Sequence, residues 1–154
     1  MKIIYHCFGG THSSVTAAAA HLGRLPRDRS PRPGELLSIP FFDTRESDDH
    51  GAITFMGVDE AGNQVYFVGQ RGRPELLENV INGLARNFAI PAGDYKLVNV
   101  MHKINLSMRL GGVMSRRLRW INTGRPLVTL GTVWAYPSIV NLVRSVIAEE
   151  NTGQ

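Results

Sequence analysis

One cysteine, Cys7, stands in a chain of 154 residues, so neither an intrachain disulfide nor a cysteine-only zinc site can form. Such sparing cysteine usage fits a reducing compartment. No apolar run approaches the roughly 18 residues that a membrane-spanning helix requires. The N-terminus opens on a strand-like segment, without the apolar stretch and small residues of a signal peptide. These absences point to a cytoplasmic protein with no membrane partner. Acid is missing too. Between Met101 and Arg144 there is no Asp or Glu, while Lys103, Arg109, Arg116, Arg117, Arg119, Arg125 and Arg144 all fall there. Asp43, Glu46, Asp48 and Asp49 gather instead around Arg45. A basic half in a chain of net charge +4 suggests an anionic partner, or a solvated face paired with that acidic loop.

What is present has an α/β pattern. Residues 2–7 are a short apolar strand ended by Gly9-Gly10, and residues 14–25 carry Val15, Ala18, Ala19 and Leu22 at helical spacing. Residues 27–51 are interrupted by Pro31, Pro33 and Pro40, with a short helix at 34–38. A connection that long is read as a functional lid or a mobile segment. Residues 52–58 and 64–68 form a hairpin, with Gly62-Asn63 supplying positive φ. Pro74 opens an amphipathic helix carrying Leu77, Val80, Ile81, Leu84, Ala85 and Phe88. A strand at 96–101, a helix at 106–118, a strand at 127–133 and a last helix after Pro137 complete the order. The expected fold is one α/β domain over 1–150, with 151–154 frayed. It is a three-layer sandwich with a mainly parallel sheet, Rossmann-like or P-loop-like, with an inserted β-hairpin. Ligands of such sheets sit beyond the carboxyl ends of the strands. Residues 8–13, 69–73, 102–105 and 134–137 would converge there.

The Gly9-Gly10-Thr11-His12-Ser13-Ser14 run joins a strand to a helix start, where unpaired N–H groups and the helix dipole favour anions. It is neither a Walker A loop, which needs a lysine, nor the dinucleotide fingerprint. A cysteine phosphatase loop starting at Cys7 would want arginine where Ser13 stands. The ligand-binding candidates are Gly9, Gly10, Thr11, Ser13 and Ser14, with Arg71, Arg109, Arg116 and Arg125 supplying charge. His12, Cys7 and His102 are the catalytic candidates: His12 and His102 as contact or proton donor, Cys7 as a thiolate at a helix N-terminus. Each has a plainer reading, as a tight turn, a small buried hydrophobe or a backbone-bonded histidine. His6, His12, His50 and His102 lack metal-ligand spacing, so no metal set is read. The expected strand ends also carry no acid of the kind that magnesium-dependent nucleotide hydrolysis uses.

The chain resembles, over nearly its full length, a family of small bacterial proteins catalogued as a domain of unknown function, mainly from spore-forming Gram-positive bacteria. The resemblance rests on Tyr5-His-Cys-Phe-Gly-Gly-Thr-His-Ser-Ser14, Phe55-Met-Gly-Val-Asp59, Leu110-Gly-Gly-Val-Met-Ser-Arg116 and Gly124-Arg-Pro-Leu127. It implies no activity and no cofactor. The residues themselves favour a phosphorylated small molecule or nucleotide as partner, with phosphoryl transfer or phosphoester hydrolysis as the reaction class if the protein is an enzyme. The alternative is a non-catalytic regulatory or assembly module whose arginine-rich face binds an acidic protein or RNA. Nucleic acid ranks behind, because Trp120, Trp134 and Tyr136 are sparse for base stacking.

Overall fold

A computed structural model describes residues 1–44, 47–101 and 121–152. Its centre is β1 (Lys2–Cys7), whose residues from Ile3 onward are all buried. Such a strand, buried on both faces, belongs inside a parallel sheet. It pairs in parallel with β3 (Gln64–Gly69) on one side and β4 (Tyr95–Asn99) on the other. The edge strand β2 (Thr54–Val58) runs antiparallel to β3, giving the order β2-β3-β1-β4 in a mixed sheet. The hairpin between β2 and β3 turns as its sequence suggests, with Gly62 at φ +82°. Asn63 needs no positive φ; its backbone and side-chain N–H groups both donate to the Asp59 carboxylate.

Helix α1 (Ser13–His21) begins one residue earlier and stops sooner than its pattern suggested. Gly23 at φ +68° ends it, and the N–H of Arg24 bonds back to the Ala19 carbonyl at 2.9 Å. Every residue of α1 is buried, because the alanines let it lie close to the sheet on one side and to the last helix on the other. Its contacts lie on the face of Tyr5 and Cys7. On the opposite face His6 meets α3 (Pro74–Asn87), with its Nε2 3.5 Å from Glu78. Of the apolar stripe of α3 only Ala85 is fully buried; Leu84 is 51% and Phe88 74% exposed. The helix meets the sheet partly through polar groups, as in the 2.7 Å bond from Tyr95 to Asn82.

The C-terminal third corrects the sequence reading. There is no strand at 127–133 and no loop at 134–137; a single helix, α4, covers Ile121–Thr152 with Pro126 and Pro137 inside it. Pro137 gives up one backbone bond, a loss of about 3 kcal/mol in a helix interior. Against that, Tyr136, Ile139 and Val143 are fully buried, and each side chain contributes about 1.5–3 kcal/mol. Burial wins. Thr129 and Thr132 turn their hydroxyls onto the carbonyls of Arg125 and Val128, which lets two polar residues face the core. The stretch Arg125–Glu150 is long and apolar enough by composition to cross a membrane, contrary to expectation, and half of its apolar window is buried within the fold.

Residues 33–42 are anchored to the core. Leu36 in α2 (Pro33–Leu37), Ile39 and Phe42 all join the core. At the N-terminus of α2, Glu35 takes hydrogen bonds from the Arg29 guanidinium and the Arg32 N–H, which hold its carboxyl down at about 2 from an ordinary 4.5. A depressed folded-state value stabilises the fold above pH 4.5, and the gain is lost as pH falls towards 2. Urea midpoints should therefore be higher for the wild type than for Glu35→Gln at pH 6, and the gap should close by pH 2. A gap independent of pH would refute this origin.

Candidate functional site

The carboxyl edge of the parallel strands brings three chain segments together. The N–H groups of Gln70 and Arg71 bond the carbonyls of Cys7 and Phe8 at 2.9 Å, so the loop after β3 runs alongside the loop after β1. Val100 bonds the His6 carbonyl at 3.0 Å, and the Phe8 N–H reaches the Met101 sulfur at 3.3 Å. Buried His6 and Gln70 are joined side chain to side chain, Nδ1 to Oε1 at 2.5 Å.

Glycine makes this contact feasible. Gly10 has φ +65°, and a Cβ there would lie 2.5 Å from the Gly69 nitrogen. A Cβ on Gly69 would in turn lie 2.9 Å from the Gly9 carbonyl. The two backbones touch directly, so the glycine pair is needed for packing whether or not a ligand binds.

Helix α1 then starts at Ser13 with no side-chain cap on its first N–H groups. His12 precedes it, with its side chain 12% exposed and its Nε2 2.9 Å from the Asp43 carboxylate. The other oxygen of Asp43 is 3.3 Å from Nε of half-exposed Arg125, near the start of α4. Asp43 also donates its backbone N–H to the Thr11 carbonyl at 3.1 Å, and Phe42 packs edge-on against the His12 ring. The turn 40–44 thus covers the end of α1. Both Phe41 (φ +69°) and Asp43 (φ +58°) hold the left-handed conformation, which side chains other than glycine rarely adopt.

The predicted residues separate clearly. Gly9, Gly10, Thr11, His12, Ser13 and Ser14 lie together with Cys7 at the start of α1, and Arg125 reaches the same place through Asp43. Cys7 is buried, its sulfur 3.1 Å from the Ser14 hydroxyl and 3.3 Å from the Gly10 N–H; it supports the loop from below. Arg71 is exposed on the neighbouring loop at φ +53°. His102, Arg109 and Arg116 fall outside the described residues, as does the expected helix at 106–118. Residues 134–137, expected beside this edge, lie within α4 instead. Sequence reasoning singled out neither Gly69 nor Gln70 as a site residue. Their signal was the second glycine pair, Gly69 and Gly72, at the end of the neighbouring strand. A separate open depression of about 390 Å3 lies between α3 and β4, lined among others by Glu78, Tyr95 and Lys96, and holds none of the predicted residues.

A four-stranded mixed sheet with helices, and a strand–loop–helix turn at its carboxyl edge, defines the class: an α/β protein. The chain belongs to the family described as "Protein of unknown function (DUF3189)", whose family model matches residues 2–147. No curated protein and no solved structure matches it.

The glycine contact has a measurable consequence. Gly62 also has positive φ, but nothing lies within 4 Å of a Cβ there. Gly62→Ala should cost about 1–2 kcal/mol, the left-handed penalty alone. Gly10→Ala adds a backbone clash and should cost at least about 1 kcal/mol more. Denaturant unfolding of both variants checks the order, and equal losses would contradict the close approach.

Proposed function

We propose that the protein binds a phosphate-type anion, carried by a small metabolite or nucleotide, at the N-terminal end of α1. The observation that carries this reading is an uncapped helix start directly after the central parallel strand, flanked by His12 and Arg125. The first N–H groups of α1, with Ser13 and Ser14, would meet the phosphate oxygens; all of them are buried, so the site has to open first. His12 would be the contact and, in a reaction, the proton donor. Arg125 would supply charge after exchanging Asp43 for the ligand. The turn 40–44 would open to admit it. The finer architecture proposed with this site is a three-layer, Rossmann-like sandwich, with α1 and α4 on one face of the sheet and α3 on the other. A cytoplasmic location fits such a ligand, and phosphoryl transfer or phosphoester hydrolysis is the reaction class if turnover occurs.

Leu127, Leu130 and Trp134 favour a second reading. They form an exposed stripe on α4, with Trp134 71% exposed. Such a stripe suits a non-catalytic module that docks on a partner protein. Binding of an acidic protein or RNA would instead run through the arginine-rich face, whose Arg116, Arg117 and Arg119 lie outside the described residues, and would weaken with salt.

The test is thermal unfolding with inorganic phosphate, nucleotides and phosphorylated metabolites. A ligand at about 100 times its dissociation constant should stabilise the fold by about 2.7 kcal/mol. His12→Ala should abolish the shift. Asp43→Asn keeps a residue that tolerates left-handed backbone but removes the charge facing the site. It should lower the stability of the free protein by about 1–2 kcal/mol and tighten anion binding several-fold. The absence of a shift with every compound, or one that His12→Ala leaves intact, would overturn the proposal.

A further inference from the structure

At the other end of the sheet, where β1 begins, three elements bring ionisable side chains into one buried cluster. His21 closes α1, Asp59 follows β2, and Glu150 lies in the last turns of α4. The Nε2 of His21 is 2.9 Å from the Asp59 carboxylate and 4.0 Å from that of Glu150. One donor atom from each of the three lies within 4.8 Å of the others. These side chains are only 1%, 9% and 6% exposed. Two carboxyl groups therefore share a largely buried site with one imidazole, which supplies at most one positive charge. The remaining oxygen of Glu150 is fully buried and meets no hydrogen-bond partner among the described residues. Lys96 and the N-terminal ammonium act on Glu150 from nearby, but Lys96 bonds Glu149, and neither group bonds that buried oxygen. Desolvating a carboxylate without a compensating partner is costly, so a cation held among the three side chains would fit this arrangement.

We propose that His21, Asp59 and Glu150 bind a divalent transition-metal ion, Zn2+ or Mn2+. The donor set of one nitrogen and two carboxylates suits these ions, whereas magnesium and calcium favour oxygen alone. Metal–ligand bonds of about 2.0–2.2 Å place neighbouring donors about 2.8–3.8 Å apart. The donors here lie within 4.8 Å of one another, so an ion would draw the widest pair together by about 1 Å. The surroundings hold the donors in place. Asn63 donates its side-chain N–H groups to both Asp59 (3.0 Å) and Glu150 (3.2 Å). The Tyr5 hydroxyl lies 2.7 Å from Nδ1 of His21, placed to accept the ring N–H when Nε2 faces a metal. The ion would staple the end of α4 to α1 and the hairpin. It is a structural site, separate from the anion site proposed at the opposite edge.

The full chain, stripped with EDTA, should take up one equivalent of Zn2+ or Mn2+ in isothermal titration, with a rise in melting temperature. Glu150→Gln keeps the shape of the side chain and should weaken uptake at least tenfold; Asp59→Asn should do the same. His50→Ala, which removes a histidine outside the cluster, should bind as the wild type does. Circular dichroism confirms that each variant is folded, and Glu150→Gln alone suffices if the hairpin variant fails. The proposal is overturned if neither ion binds at one equivalent, or if Glu150→Gln binds either ion as tightly as the wild type. It is equally overturned if Glu150→Gln melts higher than the stripped wild type while the wild type ignores both ions, because a proton would then be the missing cation.

Discussion

The carboxyl edge of this sheet depends on one contact, the backbone of Gly10 resting on the backbone of Gly69. No side chain fits between them. Because the two loops touch without intervening atoms, Gln70 and Arg71 can reach the carbonyls of Cys7 and Phe8 and continue the β1–β3 pairing past its end. The chain then turns directly into α1. A bulkier loop would lift the helix from the sheet and separate its alanine face from the apolar side chains beneath. The same contact fixes where the first N–H groups of α1 stand, so packing and the proposed anion site have a common origin.

Around that contact the sheet works as a frame with two differently equipped ends. At the carboxyl edge, the proposed anion site would draw on backbone N–H groups, His12 and Arg125, with Asp43 bonded to both side chains. At the amino edge, Asp59 and Glu150 make a buried site of negative character around His21. Helix α1 spans the distance between them, with His12 before its start and His21 at its end. Its dipole would favour the proposed anion at one end and the proposed cation at the other.

Much of the frame was legible in the sequence, and the reasons are local. β1 announced itself as an apolar run closed by glycines, the hairpin by Asp59 and Gly62, and α3 by Pro74 and a clear apolar stripe. Gly9 to Ser14 was legible as a strand–loop–helix turn. The final helix was not. Leu127 to Val133 is rich in β-branched residues and bounded by prolines, so local preference argued for a strand and a loop. Tertiary burial overrode it. The buried residues Val128, Thr132, Ala135, Ile139, Val143 and Val146 keep one helical stripe across Pro137, and that unbroken period was the available signal. The buried cluster at the amino edge escaped for a different reason. His21, Asp59 and Glu150 are far apart in sequence, and only the return of α4 along α1 brings them together.

The central claim is that the start of α1 receives an anion. It is tested most directly by following backbone amide resonances while inorganic phosphate is added. Binding as proposed predicts saturable shifts in the N–H signals of residues 9–15 and of Asp43, with the amino edge around Asn63 unmoved. Shifts that trace the exposed stripe of α4 instead, or none that saturate, would contradict it.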